Sequence, residues 1–170
     1  GTVGVTVDDM VYHIKTVVKG APNTFVIGDM PFGSYNVDLA EAVRSANKIF
    51  AEGHCDCVKL EGGADMAPVI KAIVKAGIPV CAHIGLTPQS AAMMGGFKVQ
   101  GKSLQAAQEL LDSARAVEEA GAFMVVLEGI PKMLADVITQ KINIPTMGIG
   151  AGAGCDMQVL VAQDMLGMNE

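Results

Sequence analysis

Residues 57–85 read CVKLEGGADMAPVIKAIVKAGIPVCAHIG, and the fold turns on how that stretch is read. It opens on a largely apolar run from Cys57 to Gly62, passes into helical spacing from Ala64 to Ala76, and resumes an apolar run from Pro79 to Gly85. Gly77 stands where the helix should end and Pro79 just before the second run, the usual punctuation of a helix-to-strand junction. Strands that are apolar nearly throughout are covered on both faces, so this is a βαβ unit of a parallel sheet.

Working outward, the same alternation recurs. Strands are expected at Thr24–Met30, Phe123–Gly129 and Pro145–Gly150 in addition to the two above, giving five. Helices are expected at Val7–Lys19, Val37–Glu52, Ser103–Ala120 and Pro131–Lys141, with Gly20, Gly53 and Gly121 at their ends and Pro131 suited to a first turn. Strict alternation leaves two architectures, an open doubly wound sheet or a (β/α)8 barrel. Ionisable side chains decide between them. Asp29, Lys59 with Glu61, His83 and Glu128 lie near the carboxyl ends of four successive strands. In a barrel such residues converge on one mouth, whereas an open sheet gathers its site at one switch point. The expected fold is therefore α/β, a TIM barrel. A complete barrel takes about 250 residues, so the 170 residues are expected to be an incomplete section of five to six βα units forming one domain, residues 1–170, that lacks amino-terminal units and the carboxyl-terminal end.

Composition narrows the function. Hydrophobic residues make up 51% and charged residues 18%, with a net charge of −6 and no Trp, so a basic, aromatic-laced nucleic-acid surface has no raw material. No apolar run approaches the roughly 18 residues of a membrane span, and the amino end lacks a signal-peptide pattern. A cytoplasmic protein with small-molecule ligands is expected. The four cysteines are irregularly spaced, and Cys55-x-Cys57 has no second pair to complete a zinc site, so all four read as small buried hydrophobes.

Each strand-end residue has a chemical reading and a plainer one. Asp29 and Glu61 are hard oxygen ligands that can share one Mg2+ with water and substrate; alone, Asp29 in Gly-Asp-Met-Pro is a turn or cap residue. Lys59 lies two residues before Glu61, on the same face. Its ammonium can neutralise a substrate carboxylate or an enolate oxygen, or can simply pair with Glu61. His83 can donate to a substrate oxygen or be a satisfied strand-end histidine. Glu128 ends the apolar run Phe-Met-Val-Val-Leu and is the candidate acid/base, or else a cap for the helix opening at Pro131. His13 and His54 read as structural or solvated. The Gly148–Gly154 run reads as a strand-to-helix loop whose amides could hold an anion, a weak signal without a P-loop Lys or a Rossmann context.

At these residues the chain resembles the ketopantoate hydroxymethyltransferase family. The motifs that carry the likeness are VTVDDMVYH (5–13), GDMPFGSY (28–35), VKLEGG (58–63), AHIGLTPQS (82–90), GGFKVQGK (95–102), VLEGIP (126–131) and GIGAGAGCD (148–156). The resemblance implies a (β/α)8 barrel that transfers a hydroxymethyl group from 5,10-methylenetetrahydrofolate to 3-methyl-2-oxobutanoate, giving 2-dehydropantoate in pantothenate biosynthesis. It implies Mg2+ as cofactor, an enolate stabilised by that metal, and a homo-oligomer. It also implies that Asp29 ligates the metal and touches substrate, that Glu61 joins the metal site directly or through water, that Lys59 and His83 bind the keto acid, and that Glu128 is the proton acceptor. The family's Gly-Asp-Ser motif, with a further metal-ligating Asp, has no match here, so weak or absent activity is expected of these residues alone. The competing readings are a Mg2+-dependent lyase or mutase of the phosphoenolpyruvate mutase and isocitrate lyase type, which expects a catalytic-loop Cys not found around His83, and a non-enzymatic binding module.

Overall fold

The computed structural model describes residues 2–168. Within them β1 is Ile27–Asp29, β2 Cys57–Glu61, β3 Val80–Gly85, β4 Met124–Glu128, β5 Thr146–Ile149 and β6 Met157–Gln158. The helices are α1 Val7–Gly20, α2 Leu39–Gly53, α3 Ala67–Lys75, α4 Leu104–Glu119, α5 Lys132–Lys141 and α6 Ala162–Met165, with short 3-10 turns at Thr2–Gly4, Ala64–Met66 and Pro88–Ser90.

All strand pairs are parallel and the order is β1-β2-β3-β4-β5-β6, the order of the chain. A doubly wound sheet reverses direction at a switch point; this one never does, which is the winding of a barrel, here an incomplete one.

Helix starts follow local chemistry. Thr6 and Asp9 form a capping box at α1, Asp38 accepts from the Glu41 amide at α2 (2.9 Å), and Ser103 accepts from the Ala106 amide at α4 (3.2 Å). At the end of α2 the left-handed residue is His54 (φ 61°), not Gly53. Gly53 is needed for packing instead, since a Cβ there would stand 2.9 Å from Ile14 Cγ2 on α1.

Three expectations need correction. The first strand is three residues long because the Val26 amide is taken by the Asp56 carboxylate at 2.7 Å and does not join the ladder. The helix expected from Ala64 starts as a 3-10 turn and becomes α only at Ala67. The Gly148–Gly154 run leads into a sixth strand, not a helix. Asp156 draws the chain back, its Oδ2 accepting from the amide (2.8 Å) and hydroxyl (3.0 Å) of Thr146 at the start of β5. The glycines serve close approach to α5: a Cβ at Gly152 would meet Lys132 Cγ at 2.6 Å, and one at Gly154 would collide with Asp136 Oδ1.

Alternation along the strands divides the sheet into two faces. Val58, Leu60, Val80, Ala82, Ile84, Val125 and Leu127 face outward into the main core with the helices. Inward, Cys57, Cys81, Met124 and Val126 form a smaller buried cluster. Cys55, Cys57 and Cys81 are buried and none of the four cysteines is paired, matching the reading as small hydrophobes; Cys155 is half-buried.

Candidate active site

On the inward face the register turns strand position into height. Asp29 stands beside Lys59, Lys59 beside Cys81, Glu61 beside His83, His83 beside Val126, and Glu128 beside Ile149. The buried Cys57, Cys81, Met124 and Val126 make an apolar floor, and ionisable groups rise above it at the carboxyl ends. Main-chain bonds fasten those ends together: Met30 N to Lys59 O (2.9 Å), Gly62 N to His83 O (2.9 Å), Leu86 N to Glu128 O (2.8 Å) and Gly129 N to Ile149 O (2.9 Å). Gly85 makes the third of these closures possible. Its φ is +95°, and a Cβ there would run into the Glu128 carbonyl oxygen.

All five residues singled out from the sequence line one cavity of about 340 Å³ at this mouth, together with Pro88, Val126, Met147, Ile149 and Val159–Val161. Lys59 is the hub. Its Nζ lies 3.0 Å from Asp29 Oδ1, 3.3 Å from His83 Nδ1 and 3.7 Å from Glu61 Oε1. The Glu61 pairing expected within one strand is therefore present, but the neighbouring strand supplies the nearer carboxylate. His83 bridges the two sides, with Nδ1 3.9 Å from Glu61 Oε1 and Nε2 3.1 Å from Glu128 Oε2. With Lys59 donating to Nδ1, the proton of a neutral imidazole falls on Nε2. The capping alternative for Glu128 fails, since Pro131 is the cap position of α5 and no side chain bonds to that helix start.

Burial is graded across the mouth. The Glu61 and His83 side chains are 5% and 4% exposed, Lys59 15%, Glu128 20% and Asp29 44%. Burial pushes the Glu61 carboxyl above its ordinary value, against the opposing pull of Lys59, His83 and the Gln89 amide.

Two polar atoms at this mouth are buried without an aligned hydrogen bond, Asp29 Oδ1 and His83 Nε2. Their neighbours are near in distance but off-line. One unspent acceptor and one unspent donor, both on residues lining the same cavity, are what a bound ligand would satisfy. The carboxylates of Asp29 and Glu61 are hard oxygen donors of the type Mg2+ takes, since that ion commonly uses one or two carboxylates and fills its remaining positions with water and substrate. Among the described residues no set of three His, Cys, Asp or Glu side chains is arranged to hold a metal ion.

Strand-end reasoning does not single out Tyr35 and Gln89, yet both bond to Glu61. The Gln89 amide donates to Glu61 Oε2 (2.9 Å), and the Glu61 amide donates to Tyr35 Oη (3.3 Å). Both lie inside quoted motifs, but each comes from a loop, where no periodicity marks a functional position.

The family model described as ketopantoate hydroxymethyltransferase matches residues 1–170. The chain belongs to the ketopantoate hydroxymethyltransferase family. It is 59% identical over 167 residues to the 3-methyl-2-oxobutanoate hydroxymethyltransferase of Heliobacterium modesticaldum, covering 98% of this chain and 60% of that protein. With the proteins of the same name from Desulfotalea psychrophila and Enterococcus faecalis it is 57% and 58% identical, covering 99% and 98% of this chain and 61% of each relative. The chain thus spans about three fifths of the length of the curated relatives it matches. Two solved structures from Burkholderia cenocepacia share the fold. One, described as a phosphonomutase, has a TM-score of 0.64 at 16% identity, covering 85% of this chain and 62% of that one. The other, described as a lyase or mutase, has a TM-score of 0.63 at 18% identity, covering 97% and 59%. Among the described residues no helix is long and apolar enough to cross a membrane.

Proposed function

We propose that these residues form the central section of a (β/α)8 barrel whose mouth binds 3-methyl-2-oxobutanoate and removes its C3 proton, so that the carbon can accept a one-carbon unit from 5,10-methylenetetrahydrofolate. The observation that carries this reading is the convergence of Asp29, Lys59, Glu61, His83 and Glu128 on one cavity with an apolar floor. The keto acid has a charged carboxylate and carbonyl at one end and a branched apolar group at the other, and the cavity offers both environments.

In this reading Lys59 supplies the positive charge that receives the anionic end of the substrate and later the enolate oxygen. The unspent donor at His83 Nε2 faces a substrate oxygen, and Glu128 Oε2, 3.1 Å from it, stands next to that oxygen and so near the reacting carbon. Glu128 takes the proton from C3; the C–H electron pair moves into the C2–C3 bond and the carbonyl pair onto oxygen. The nucleophilic C3 then bonds to the folate-borne methylene carbon, both of whose bonds to folate nitrogen break with their electron pairs staying on nitrogen. Water supplies the hydroxyl oxygen, and the C3 proton and one proton of that water end on the two nitrogens, so one water is consumed, 2-dehydropantoate forms and tetrahydrofolate leaves. Asp29 and Glu61 would hold Mg2+, which when bound withdraws electron density from the carbonyl and makes the C3 proton more acidic.

Family membership is the support for a cytoplasmic homo-oligomer and for weak turnover by these 170 residues alone, since a further metal-ligating Asp is expected from a Gly-Asp-Ser motif that the sequence does not contain. The test is a calorimetric titration of Mg2+ with and without 3-methyl-2-oxobutanoate. The expected result is metal binding that tightens with the keto acid and is lost in Asp29→Ala. Binding indifferent to Asp29→Ala would overturn the assignment.

A further inference from the structure

We propose that Tyr35 and Gln89 are positioning residues for Glu61, holding one carboxylate oxygen away from the mouth so that the other alone is presented to it. The bonds form a closed circuit between two loops and the end of β2. Glu61 Oε2 accepts from the Gln89 main-chain amide at 2.9 Å. The place of that amide is set by the residue's own side chain, because Gln89 Nε2 donates to the Met30 carbonyl at 2.9 Å and so determines which end of the side-chain amide is oxygen. Gln89 Oε1 then accepts from Tyr35 Oη at 2.6 Å, and Tyr35 Oη accepts from the Glu61 main-chain amide at 3.3 Å. With Oε2 engaged, Oε1 is the oxygen that faces Lys59 and His83.

Two properties separate this circuit from ordinary loop bonding. Tyr35, Gln89 and Glu61 are 2%, 7% and 7% exposed, so water is poorly placed to replace a lost partner. Neither Tyr35 nor Gln89 lines the mouth cavity, so an effect on a ligand there is indirect, through the residues the circuit holds. The circuit also joins the ends of β1 and β2 to the turn after β3, which sets where the Glu61 carboxylate stands relative to Asp29.

The consequence for metal binding rests on the role proposed above for Glu61; the positional claim does not. The test uses Tyr35→Phe, which keeps the ring, and Gln89→Met, which keeps most of the volume. Two readouts are taken: hydrogen exchange of the residue-89 main-chain amide relative to that of Val125 in the core, and Mg2+ affinity in the presence of 3-methyl-2-oxobutanoate by calorimetry. Each variant loses two of the buried bonds, Tyr35→Phe those to Gln89 Oε1 and the Glu61 amide, Gln89→Met those to Tyr35 Oη and the Met30 carbonyl. The expectation in either is exchange at residue 89 at least about tenfold faster relative to Val125, and Mg2+ affinity lower by about five- to tenfold. The double variant should add little, since both changes open the same circuit. Residue-89 exchange unchanged in both variants overturns the positional claim, whatever the metal does. Wild-type Mg2+ affinity in both variants overturns the consequence for the site. If the unaltered chain shows no keto-acid-dependent Mg2+ binding, the metal role of Glu61 fails on its own and the exchange ratio still decides the positioning.

Discussion

Replacing Lys59 by Met removes the cation on which the mouth is organised, and its cost can be worked from the distances. Glu61 Oε1 is 3.7 Å from Lys59 Nζ, and both side chains are largely buried, at 5% and 15% exposure. At an effective dielectric of about 20 that contact is worth about 4.5 kcal/mol before the burial of the ammonium is charged against it. Asp29 is nearer, at 3.0 Å, but its side chain is 44% exposed, so solvent screens most of its share. His83 Nδ1 also loses a partner at 3.3 Å, a loss of about 1 kcal/mol. Stranding a buried carboxylate costs about 3–5 kcal/mol where both charges are fully enclosed. For this half-open hub the expectation is about 2–4 kcal/mol, or about 5–12 °C in melting temperature. The sign of the pH effect follows from Glu61, whose pKa already lies above its ordinary value through burial and rises further without Lys59. A protonated Glu61 needs no counter-ion, so the penalty should shrink on going from pH 7 to pH 5. Urea unfolding followed by circular dichroism at both values measures it. A loss below about 0.5 kcal/mol would mean that the mouth is not organised on Lys59, and so would a loss equal at the two pH values.

Glu128→Gln keeps the shape of the proposed base but removes its basicity. Mg2+-dependent loss of the C3 proton of 3-methyl-2-oxobutanoate in D2O, followed by NMR without folate, should slow by about 100-fold or more; exchange at an unchanged rate assigns the proton to another group. The thiols give a chemical check on the inner face. Burial pushes Cys81 up to about 12, and raises Cys57 and Cys55, so at pH 8 a disulfide reagent should modify Cys155 first and the other three only on unfolding. Because the folded thiol pKa values are raised, their contribution to stability is full below the ordinary value of 9.0 and is lost as pH climbs from there toward about 12. An alkaline unfolding curve that stays flat across that range contradicts their burial.

The parallel winding and the five mouth residues were legible in the sequence for one reason. Strands covered on both faces leave few polar positions, so an ionisable residue at a strand's carboxyl end, as at Asp29 or Glu128, stands out against its run. Contact order within the mouth was not legible. Lys59 and Glu61 are two positions apart on one strand, about 6.6 Å, whereas neighbouring strands lie about 4.8 Å apart; the Asp29 to Lys59 register therefore makes Asp29 the nearer partner. Tyr35 and Gln89 escaped because their bond joins loop residues 54 positions apart, where no periodicity carries information. The sixth strand escaped because it consists of two residues, Met157 and Gln158. It depends on the Asp156 side chain reaching Thr146, a contact that hydrophobic spacing cannot show.

The most direct measurement of the central claim is an anomalous difference map from crystals of the protein grown with Mn2+, as a stand-in for Mg2+, and 3-methyl-2-oxobutanoate. The account predicts a single metal peak at the Asp29 and Glu61 carboxylates, with the keto acid beside it and its C3 within reach of Glu128. A metal bound elsewhere, or a keto acid seated with C3 turned away from Glu128, would contradict it.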